Sequence, residues 1–316
     1  MYGMNKLKKK IEINDISVEC PVSGCSEYVV RQRRGTARPS CEVHRIHISP
    51  TTFSYPKKED NLLWTDPVDL KLLGNIGKVK RESRMEENNS EDALTWNVFR
   101  FIERNDLISS FTKEVIGIDV KEPNLIYWSY SQSNKDTWPL LDKGRNIFEL
   151  NPAKGSEPDL IIYGKNAVII VEAKFGAGNT TIPSKPYVED KYVNGAQCWW
   201  RQVFRDNFKT VAIENRKYEL SRFWLIGSWI ANDIGTDFYL TNLTLEKQSN
   251  NIERDFKQHI KEDKNRTFKR ITWEQIYNFV SSCNCQISQK EILLDYFRNK
   301  TLGYDANGNI RKAFTI

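Results

Sequence analysis

The chain has 316 residues, of which 39% are hydrophobic and 28% are charged, and its formal net charge is +6. This composition is typical of a globular chain with one moderate domain and a small additional module. It argues against a membrane-spanning protein, because no apolar run approaches the length that crosses a bilayer, and the six cysteines are too few for a disulfide-stabilised scaffold.

The cellular setting follows from the amino terminus and the cysteines. The first residues include lysines but no apolar segment of the kind found in signal peptides, so we expect a cytoplasmic location and reduced thiols. Cys198, Cys283 and Cys285 are interpreted as free or core cysteines. A metal or redox role for the last two is the alternative.

A metal site is predicted near the amino terminus. Cys20 and Cys25 are followed, after fifteen intervening residues, by Cys41 and His44. Two cysteines followed by a Cys-x2-His pair are typical of tetrahedral Zn²⁺ sites. His47 is an alternative fourth ligand. Because four protein ligands leave no open coordination position, we predict a structural zinc ion; unligated cysteines beside a chance histidine are the alternative.

Positive charge is concentrated in the same part of the chain. Residues 1–58 contain eleven Lys or Arg and five Asp or Glu, an excess equal to the net charge of the whole chain. Cationic side chains on a small module are typical of proteins that bind phosphate backbones. A solubilising tail is the alternative for the lysines at 6–10. The predicted nucleic-acid contacts are Arg31, Arg33, Arg34 and Arg38.

A linker and a helix follow this module. The stretch 74–89 is charged and has almost no apolar periodicity, which predicts a linker or exposed loop. An amphipathic helix is predicted over 90–105, with Ser90 as its N-cap. Glu91 lies at the edge of the apolar stripe, so we expect it to face the hairpin that comes later in the chain. A role as a first-turn partner of the helix dipole is the alternative.

A β-hairpin is predicted where two short Ile- and Val-rich segments flank a Gly/Asn turn at 164–166. If the turn is centred on its last two residues, Asp159 lies opposite Glu172. Strand side chains alternate between faces, so Glu172 and Lys174 point the same way. Burying such charges is costly unless they are paired or bound to a metal. Two carboxylates suit a hard divalent cation such as Mg²⁺.

These residues carry a family resemblance. Pro-Asp at 158–159, followed by Glu-Ala-Lys at 172–174, resembles the PD-(D/E)XK motif of the restriction-endonuclease-like nuclease superfamily. The resemblance implies an α/β fold with a mixed sheet flanked by helices. It implies that Asp159 and Glu172 bind Mg²⁺ and that Lys174 places or activates a water molecule.

The resemblance also extends to residues on the neighbouring helices. An acidic residue on the first core helix commonly completes the metal site, and Glu91 is the best match, with Glu87 as the fallback. The segment 190–208 predicts a helix on which Gln197 and Arg201 share a face. Gln197 resembles a glutamine that often lies near the catalytic site, and Arg201 is predicted to contact a phosphate. A solvated helix face is the alternative for both.

The rest of the chain completes the predicted α/β core. Strands are predicted at 222–231 and 237–245, and helices at 272–282 and 289–301. The predicted organisation is a small basic zinc-knuckle-like module at 1–73, a charged linker at 74–89 and a PD-(D/E)XK nuclease domain at 90–316.

The leading functional prediction is a Mg²⁺-dependent DNA endonuclease whose zinc module grips DNA. The segments 41–64 and 301–314 are also similar to blocks in predicted bacterial restriction endonucleases, which implies a defence-related setting. One alternative is a non-cleaving nucleic-acid-binding protein built on a nuclease-like core, and another is a zinc-ribbon adaptor that binds protein. The sequence leaves open the recognition sequence, DNA or RNA as substrate, and whether a homodimer forms.

Overall fold

The structure is a computed structural model that describes residues 6–31, 39–80, 83–184 and 189–316. The chain divides into two compact units. The first unit comprises Met1–Leu70, Glu82–Asn105 and Ile276–Ile316, and the second unit comprises Lys71–Arg81 and Asp106–Gln275. This division is based on contacts between residues. The predicted boundaries of the zinc module, linker and nuclease domain, after residues 73 and 89, stay predictions.

The described chain contains thirteen short strands and ten α-helices. The strands are β1 (Ser17–Glu19), β2 (Tyr28–Val30), β3 (His47–Ile48), β4 (Phe53–Ser54), β5 (Asn124–Tyr127), β6 (Tyr130–Ser131), β7 (Asp136–Thr137), β8 (Leu160–Tyr163), β9 (Ala167–Ala173), β10 (Asp237–Thr244), β11 (Arg266–Thr272), β12 (Thr301–Tyr304) and β13 (Ile310–Lys312). The α-helices are α1 (Pro67–Val79), α2 (Glu91–Arg104), α3 (Ile108–Phe111), α4 (Pro139–Phe148), α5 (Glu189–Cys198), α6 (Trp200–Val203), α7 (Tyr218–Ile234), α8 (Ile252–Lys257), α9 (Trp273–Ser282) and α10 (Ile287–Asn299). None of the helices in the described ranges has the length and apolar character needed to span a bilayer.

A seven-stranded mixed sheet forms the centre of the second unit, in the order β11-β10-β9-β8-β5-β6-β7. β9, β10 and β11 run parallel, whereas the other neighbours pair antiparallel. β9 is buried along its whole length, which explains its continuous apolar run, because a strand covered on both faces does not alternate. Helices flank the sheet, so the predicted mixed α/β architecture is confirmed.

The hairpin that carries the motif is confirmed in its register. β8 and β9 pair antiparallel, with Leu160 opposite Val171. Continuing this register by one residue places Asp159 opposite Glu172, as predicted. The chain turns at Gly164, where a Cβ atom would lie 2.5 Å from a neighbouring backbone carbonyl oxygen. A glycine at this turn therefore allows two segments of backbone to approach closely.

The prediction of a strand at 222–231 was wrong, because this segment is the middle of helix α7. α7 packs on β9 and β10, and Gly227 allows a close contact, since a Cβ atom there would lie 2.2 Å from the Phe238 ring. A short apolar run does not by its periodicity distinguish a buried strand from a buried helix. Because α7 is buried on nearly all sides, its sequence lacks the polar face from which a helical period could have been recognised.

The prediction of a continuous helix over 190–208 was also wrong. α5 is kinked, and the backbone from Gly195 to Gln197 is not helical. Gly195 packs against the side chain of Phe148, where a Cβ atom would lie 2.7 Å from the ring. Gln197 and Arg201 therefore do not share a face of one helix, since that spacing requires an uninterrupted helix.

Most other predicted elements agree with the structure. Helix α2 occupies the segment predicted to be helical, and its N-cap Ser90 accepts a hydrogen bond of 3.1 Å from the backbone N–H of Ala93. β10, α9 and α10 also lie where a strand and two helices were predicted. The predicted loop at 74–89 begins inside α1, so this segment is helical up to Val79.

In the first unit, the carboxyl-terminal hairpin β12–β13 joins the amino-terminal strands around one apolar cluster. Tyr304 is buried in this cluster together with Ile11. The N–H of Ile11 donates to the carbonyl of Gly308 at 2.9 Å, and the N–H of Tyr304 donates to Thr51 at 2.9 Å. Gly308 has a φ of +79°, and a Cβ atom there would lie 2.0 Å from the Ile11 carbonyl oxygen. The two ends of the described chain thus belong to one small core.

Candidate functional site

The three motif residues meet at the carboxyl end of β9 in the second unit. Glu172 and Lys174 are buried, with exposed fractions of 3% and 9%. The Lys174 Nζ donates a hydrogen bond to Glu172 Oε1. The backbone N–H of Ala173, which lies between them, donates to Asp159 Oδ2 at 2.8 Å. The hairpin register therefore gathers two carboxylates and one ammonium in one place.

A further carboxylate, Glu219, joins these residues and was not predicted. Its Oε2 lies 3.0 Å from Lys174 Nζ. Glu219 is in the first turn of α7, where its backbone N–H donates to Thr181 Oγ1 at 2.9 Å. This hydroxyl satisfies a first-turn N–H that the N-cap residue Lys217 leaves without a side-chain acceptor. We refer to Asp159, Glu172, Lys174 and Glu219 as the carboxylate–lysine cluster.

A signal for Glu219 was present in the sequence. The apolar run of α7 ends at Gly235, which adopts the left-handed conformation common after a helix. Interpreting that run as a helix would have placed Glu219 near its amino terminus, where acidic side chains are favoured. The incorrect strand assignment concealed this position.

Buried amides hold the backbone around the cluster. The Asn242 side chain, on β10, donates to the carbonyl of Glu172 at 3.1 Å and exchanges hydrogen bonds of 2.8 and 3.0 Å with the Asn179 side chain. The Trp273 indole N–H donates to the Lys174 carbonyl at 3.2 Å. These bonds tie the chain that leaves β9 to its neighbours, so the backbone of Lys174 is fixed in addition to its ion pairs.

The electrostatics of the cluster favour uptake of a proton or a cation. Burial raises the pKa of Glu172 well above its ordinary value, and the charges of Glu219 and Asp159 raise it further, while Lys174 opposes the shift. Burial also acts to raise the pKa of Glu219, but the Lys174 ammonium outweighs it and the pKa is lowered overall. Three carboxylates facing one ammonium leave an excess of negative charge at Glu172.

The donor set fits a hard divalent cation. Mg²⁺ is usually held by one or two protein carboxylates, with waters or phosphate oxygens in the other positions. Asp159 and Glu172 supply such a pair. Among the described residues, only the cysteine–histidine group described below brings three or more ligand atoms within 4.8 Å of one another. The carboxylates of the cluster are not such a group, and Glu219 is an ion-pair partner of Lys174.

Replacing Glu172 by glutamine should stabilise the metal-free protein at neutral pH. A carboxyl whose pKa is raised by folding costs stability as the pH rises from about 4.5 toward the raised pKa, because the folded state holds the proton more tightly. Glutamine keeps the shape and removes this cost. For each kcal/mol by which the substitution raises the free energy of unfolding, we expect Tm to rise by about 2–4 °C.

Thermal unfolding in EDTA between pH 5 and 8 measures this effect, and the advantage of Glu172→Gln should grow with pH. Added Mg²⁺ or Ca²⁺ should stabilise the wild type but not the variant. Glu214→Gln, at an exposed position, is the control. A variant that is less stable than the wild type at pH 8 in EDTA would contradict the expected cost of the buried charge.

The second site is the predicted metal-ligating group in the first unit. Cys20, Cys25, Cys41 and His44 place one ligand atom each within 4.8 Å of one another. The sulfurs of Cys25 and Cys41 are 3.8 Å apart, and His44 Nδ1 lies 3.7 Å from the sulfurs of Cys20 and Cys41. Zn–S bonds of about 2.3 Å in a tetrahedron give sulfur–sulfur separations of about 3.8 Å. The spacing therefore fits a zinc ion.

The fourth member of this group is His44 rather than His47. A tight turn after Cys41 brings His44 back toward the sulfur, since the N–H of Arg45 donates to the Cys41 carbonyl at 2.7 Å and the N–H of His44 approaches Cys41 Sγ at 3.4 Å. His47 lies on β3, and its Nδ1 is buried without a hydrogen-bond partner in the described chain. The choice that the sequence left open is settled by this turn.

The predicted acidic residues of α2 lie in the first unit. Glu91 is in the first turn of the helix and lines a cavity of about 310 Å³ together with Glu87 and Asp92. An acidic lining of this kind is compatible with the proposed role of Glu91 and also with the helix-dipole alternative. Its contribution to a metal site stays a prediction.

The remaining predicted contacts are distributed over the surface. Gln197 and Arg201 are exposed, at the kink of α5 and on α6 respectively. Arg31 is half-buried directly after β2. Arg33, Arg34 and Arg38 lie outside the described residues. The proposed roles of these side chains stay predictions.

Comparison with known proteins supplies no relative from which a function could be transferred. The carboxylate–lysine cluster and the cysteine–histidine group are therefore the observations on which a function has to be based. No protein-family model, curated protein or solved structure matches the chain.

Proposed function

We propose that the protein is a Mg²⁺-dependent endonuclease of the PD-(D/E)XK type that hydrolyses DNA phosphodiester bonds. The observation that carries this proposal is the convergence of Asp159, Glu172 and Lys174 at the end of one hairpin, in the order and register that the motif requires. A buried carboxylate with a second carboxylate beside it and one lysine is an arrangement that a cation-binding site would explain.

The chemistry of phosphodiester hydrolysis needs the groups that this cluster contains. A water molecule must be activated and placed in line, and negative charge builds up on the phosphate oxygens. A bound divalent cation lowers the pKa of such a water and neutralises this charge. Asp159 and Glu172 are the residues that would hold the ion. Lys174 supplies a fixed ammonium that orients water or stabilises the developing charge.

The finer fold assignment belongs to the same proposal. A hairpin whose second strand also pairs in parallel with the next strand, as β9 does with β10, supports a restriction-endonuclease-like core. The resemblance also implies an acidic residue on a first core helix, matched by Glu91 on α2, and a glutamine near the catalytic site, matched by Gln197. These roles rest on the resemblance of the sequence motif.

The first unit would contribute DNA binding. A Cys3His group that fits zinc and a strongly basic sequence around it support a module that grips the phosphate backbone. Arg31, together with Arg33, Arg34 and Arg38, would make these contacts. A cytoplasmic restriction or defence enzyme is the corresponding setting. One active site per chain would need a homodimer or two successive nicks to cut both strands.

Incubation with supercoiled plasmid tests the proposal directly. Wild-type protein should nick or linearise the plasmid in Mg²⁺ and not in EDTA. Asp159→Asn should reduce cleavage by about a thousandfold, because it removes a metal ligand while its amide oxygen still accepts from Ala173. Asp295→Asn, at an exposed position on α10, is the control.

Three outcomes would count against the proposal. Cleavage that survives in EDTA, or equal activity of Asp159→Asn, would remove the metal site from the reaction. Salt-dependent DNA binding without cleavage of modified or unmodified plasmid would favour the non-cleaving nucleic-acid-binding alternative.

A further inference from the structure

We propose that Cys283 and Cys285 form a dithiol site, which reacts with low-molecular-weight disulfides and closes into an intramolecular disulfide bond. Both residues are free cysteines, and their sulfurs lie 3.0 Å apart. Reacting atoms about 3–3.5 Å apart are already close to the geometry of attack. Since a disulfide bond is about 2.05 Å long, a small movement of the two side chains would suffice to form it. This site does not depend on the proposed nuclease function.

The dithiol site lies in the connection between α9 and α10, in the first unit. The N–H of Cys283 continues the hydrogen bonding of α9, because it donates to the Phe279 carbonyl at 2.9 Å. Its thiol donates to the Val280 carbonyl at 3.1 Å. From α10, the Lys290 Nζ donates to the Cys283 carbonyl at 3.1 Å. These bonds hold Cys283 at the end of α9, so the contact between the two sulfurs is made by an ordered backbone.

The surroundings of the dithiol site admit a small reagent. Cys283 and Cys285 are half-buried, whereas Asn284 between them and Gln286 after them are exposed. Cys285 lies two residues before the first residue of α10, where the helix dipole favours a negatively charged sulfur. Partial exposure beside positive charge is typical of reactive cysteines, whereas cysteines that are fully buried among apolar groups are inert.

The two sulfurs have different roles in such a reaction. Burial, together with the adjacent Cys285, raises the pKa of Cys283 to about 12, and the Lys290 ammonium only partly opposes this rise. Cys283 therefore keeps its proton at neutral pH. Because the thiolate is the nucleophile in disulfide exchange, Cys285 is the sulfur that attacks first and Cys283 is the sulfur that closes the bond.

The reaction balances as two successive exchanges. Cys285 releases its proton to water, and its thiolate attacks one sulfur of the small disulfide, which breaks that S–S bond and expels one small thiolate. The expelled thiolate takes the proton of Cys283. The Cys283 sulfur then attacks Cys285 Sγ and expels the second small thiolate, which is protonated from water. The two protein thiols are oxidised by two electrons, and the small disulfide is reduced to two thiols.

The spacing favours a disulfide bond over a metal ion at this position. Thiolates bound to one tetrahedral zinc ion lie about 3.8 Å apart, which is the separation of the sulfurs of Cys25 and Cys41. The sulfurs of the dithiol site are closer than this. Within the described ranges, only the cysteine–histidine group brings together three or more ligand atoms of the kind that hold a metal, and neither Cys283 nor Cys285 belongs to it.

The test uses the full-length, zinc-loaded protein and oxidised glutathione as the small disulfide. After the reaction, remaining thiols are alkylated, and the peptide that contains both cysteines is analysed by mass spectrometry. We expect the wild-type peptide to lose two hydrogen atoms. Cys283→Ser should retain glutathione on Cys285 at a level about tenfold or more above the wild type, because the second exchange cannot occur. Cys198→Ser, outside the dithiol site, is the control and should behave like the wild type.

A second variant tests the order of attack. Cys285→Ser leaves only the sulfur that keeps its proton, so glutathione should be added about tenfold or more slowly than in Cys283→Ser. A wild-type peptide that stays fully alkylated, or that carries glutathione without the internal bond, overturns the proposal. Equal glutathione levels on the wild type and on Cys283→Ser also overturn it, as does an internal bond that forms only above the temperature of thermal unfolding.

Discussion

Replacing Lys174 by alanine is expected to lower the rate of metal-dependent DNA cleavage by about a thousandfold or more, while DNA binding persists. The Lys174 ammonium donates to Glu172 and lies 3.0 Å from Glu219. In the proposed mechanism, this ammonium is the group that orients the attacking water. Alanine removes the donor and retains Asp159 and Glu172, the proposed metal ligands.

The same substitution has a cost in stability that must be separated from the loss of chemistry. Without Lys174, the buried Glu172 loses the cation that donates to it. Removing one partner of a buried pair costs about 3–5 kcal/mol. The pKa of Glu172 would rise further, so the metal-free variant should lose stability as the pH increases through that pKa. A double variant that also carries Glu172→Gln should recover stability without recovering activity.

Single-turnover cleavage of a labelled duplex, with thermal unfolding measured on the same samples, tests this expectation. Lys165→Ala is a matched control, because Lys165 lies on the turn of the same hairpin, is exposed and pairs with the exposed Glu122. Activity of Lys174→Ala within tenfold of the wild type would show that the lysine is a structural partner of Glu172 and not part of the reaction.

The features that were predicted correctly depend on local information. The register of β8 and β9 follows from the position of the turn, so the sequence sufficed to place Asp159 opposite Glu172. The cysteine–histidine group was predicted because ligand spacing is a local pattern. The choice between His44 and His47 was not predictable, because it depends on how the turn after Cys41 closes.

The features that were missed depend on contacts between distant parts of the chain. The kink of α5 lies where Gly195 contacts Phe148. The sequence of α5 contains no pattern that predicts this contact. The helix α7 was mistaken for a strand because its burial against the sheet requires apolar residues on nearly every side. That mistake concealed Glu219, the carboxylate that α7 contributes beside Lys174.

A second large effect is expected at the metal group of the first unit, where Cys41→Ser should unfold the region around β1–β4. Cys20, Cys25 and Cys41 lie inside the apolar cluster that also contains Phe53 and Tyr304. The strands there have only two or three residues each. So little regular structure is not stable without a cross-link such as a bound metal ion. Structural zinc contributes about 10–16 kcal/mol in comparable small modules.

Zinc content, thermal unfolding and limited proteolysis should therefore change together. We expect about one zinc ion per wild-type chain, released on Cys41→Ser, and new protease sites before residue 60 in the variant or after treatment with a strong chelator. Cleavage of the same segment in the wild type should appear only when the metal is removed.

Two comparisons make this prediction specific to the ligand set. His44→Ala should behave like Cys41→Ser, whereas His47→Ala should retain its zinc, because only His44 Nδ1 approaches the cysteine sulfurs within the described chain. Cys198→Ser is the control for a cysteine outside the group. Wild-type protein that is purified without zinc and unfolds at the same temperature as the zinc-loaded form would show that the cysteines pack as ordinary core residues.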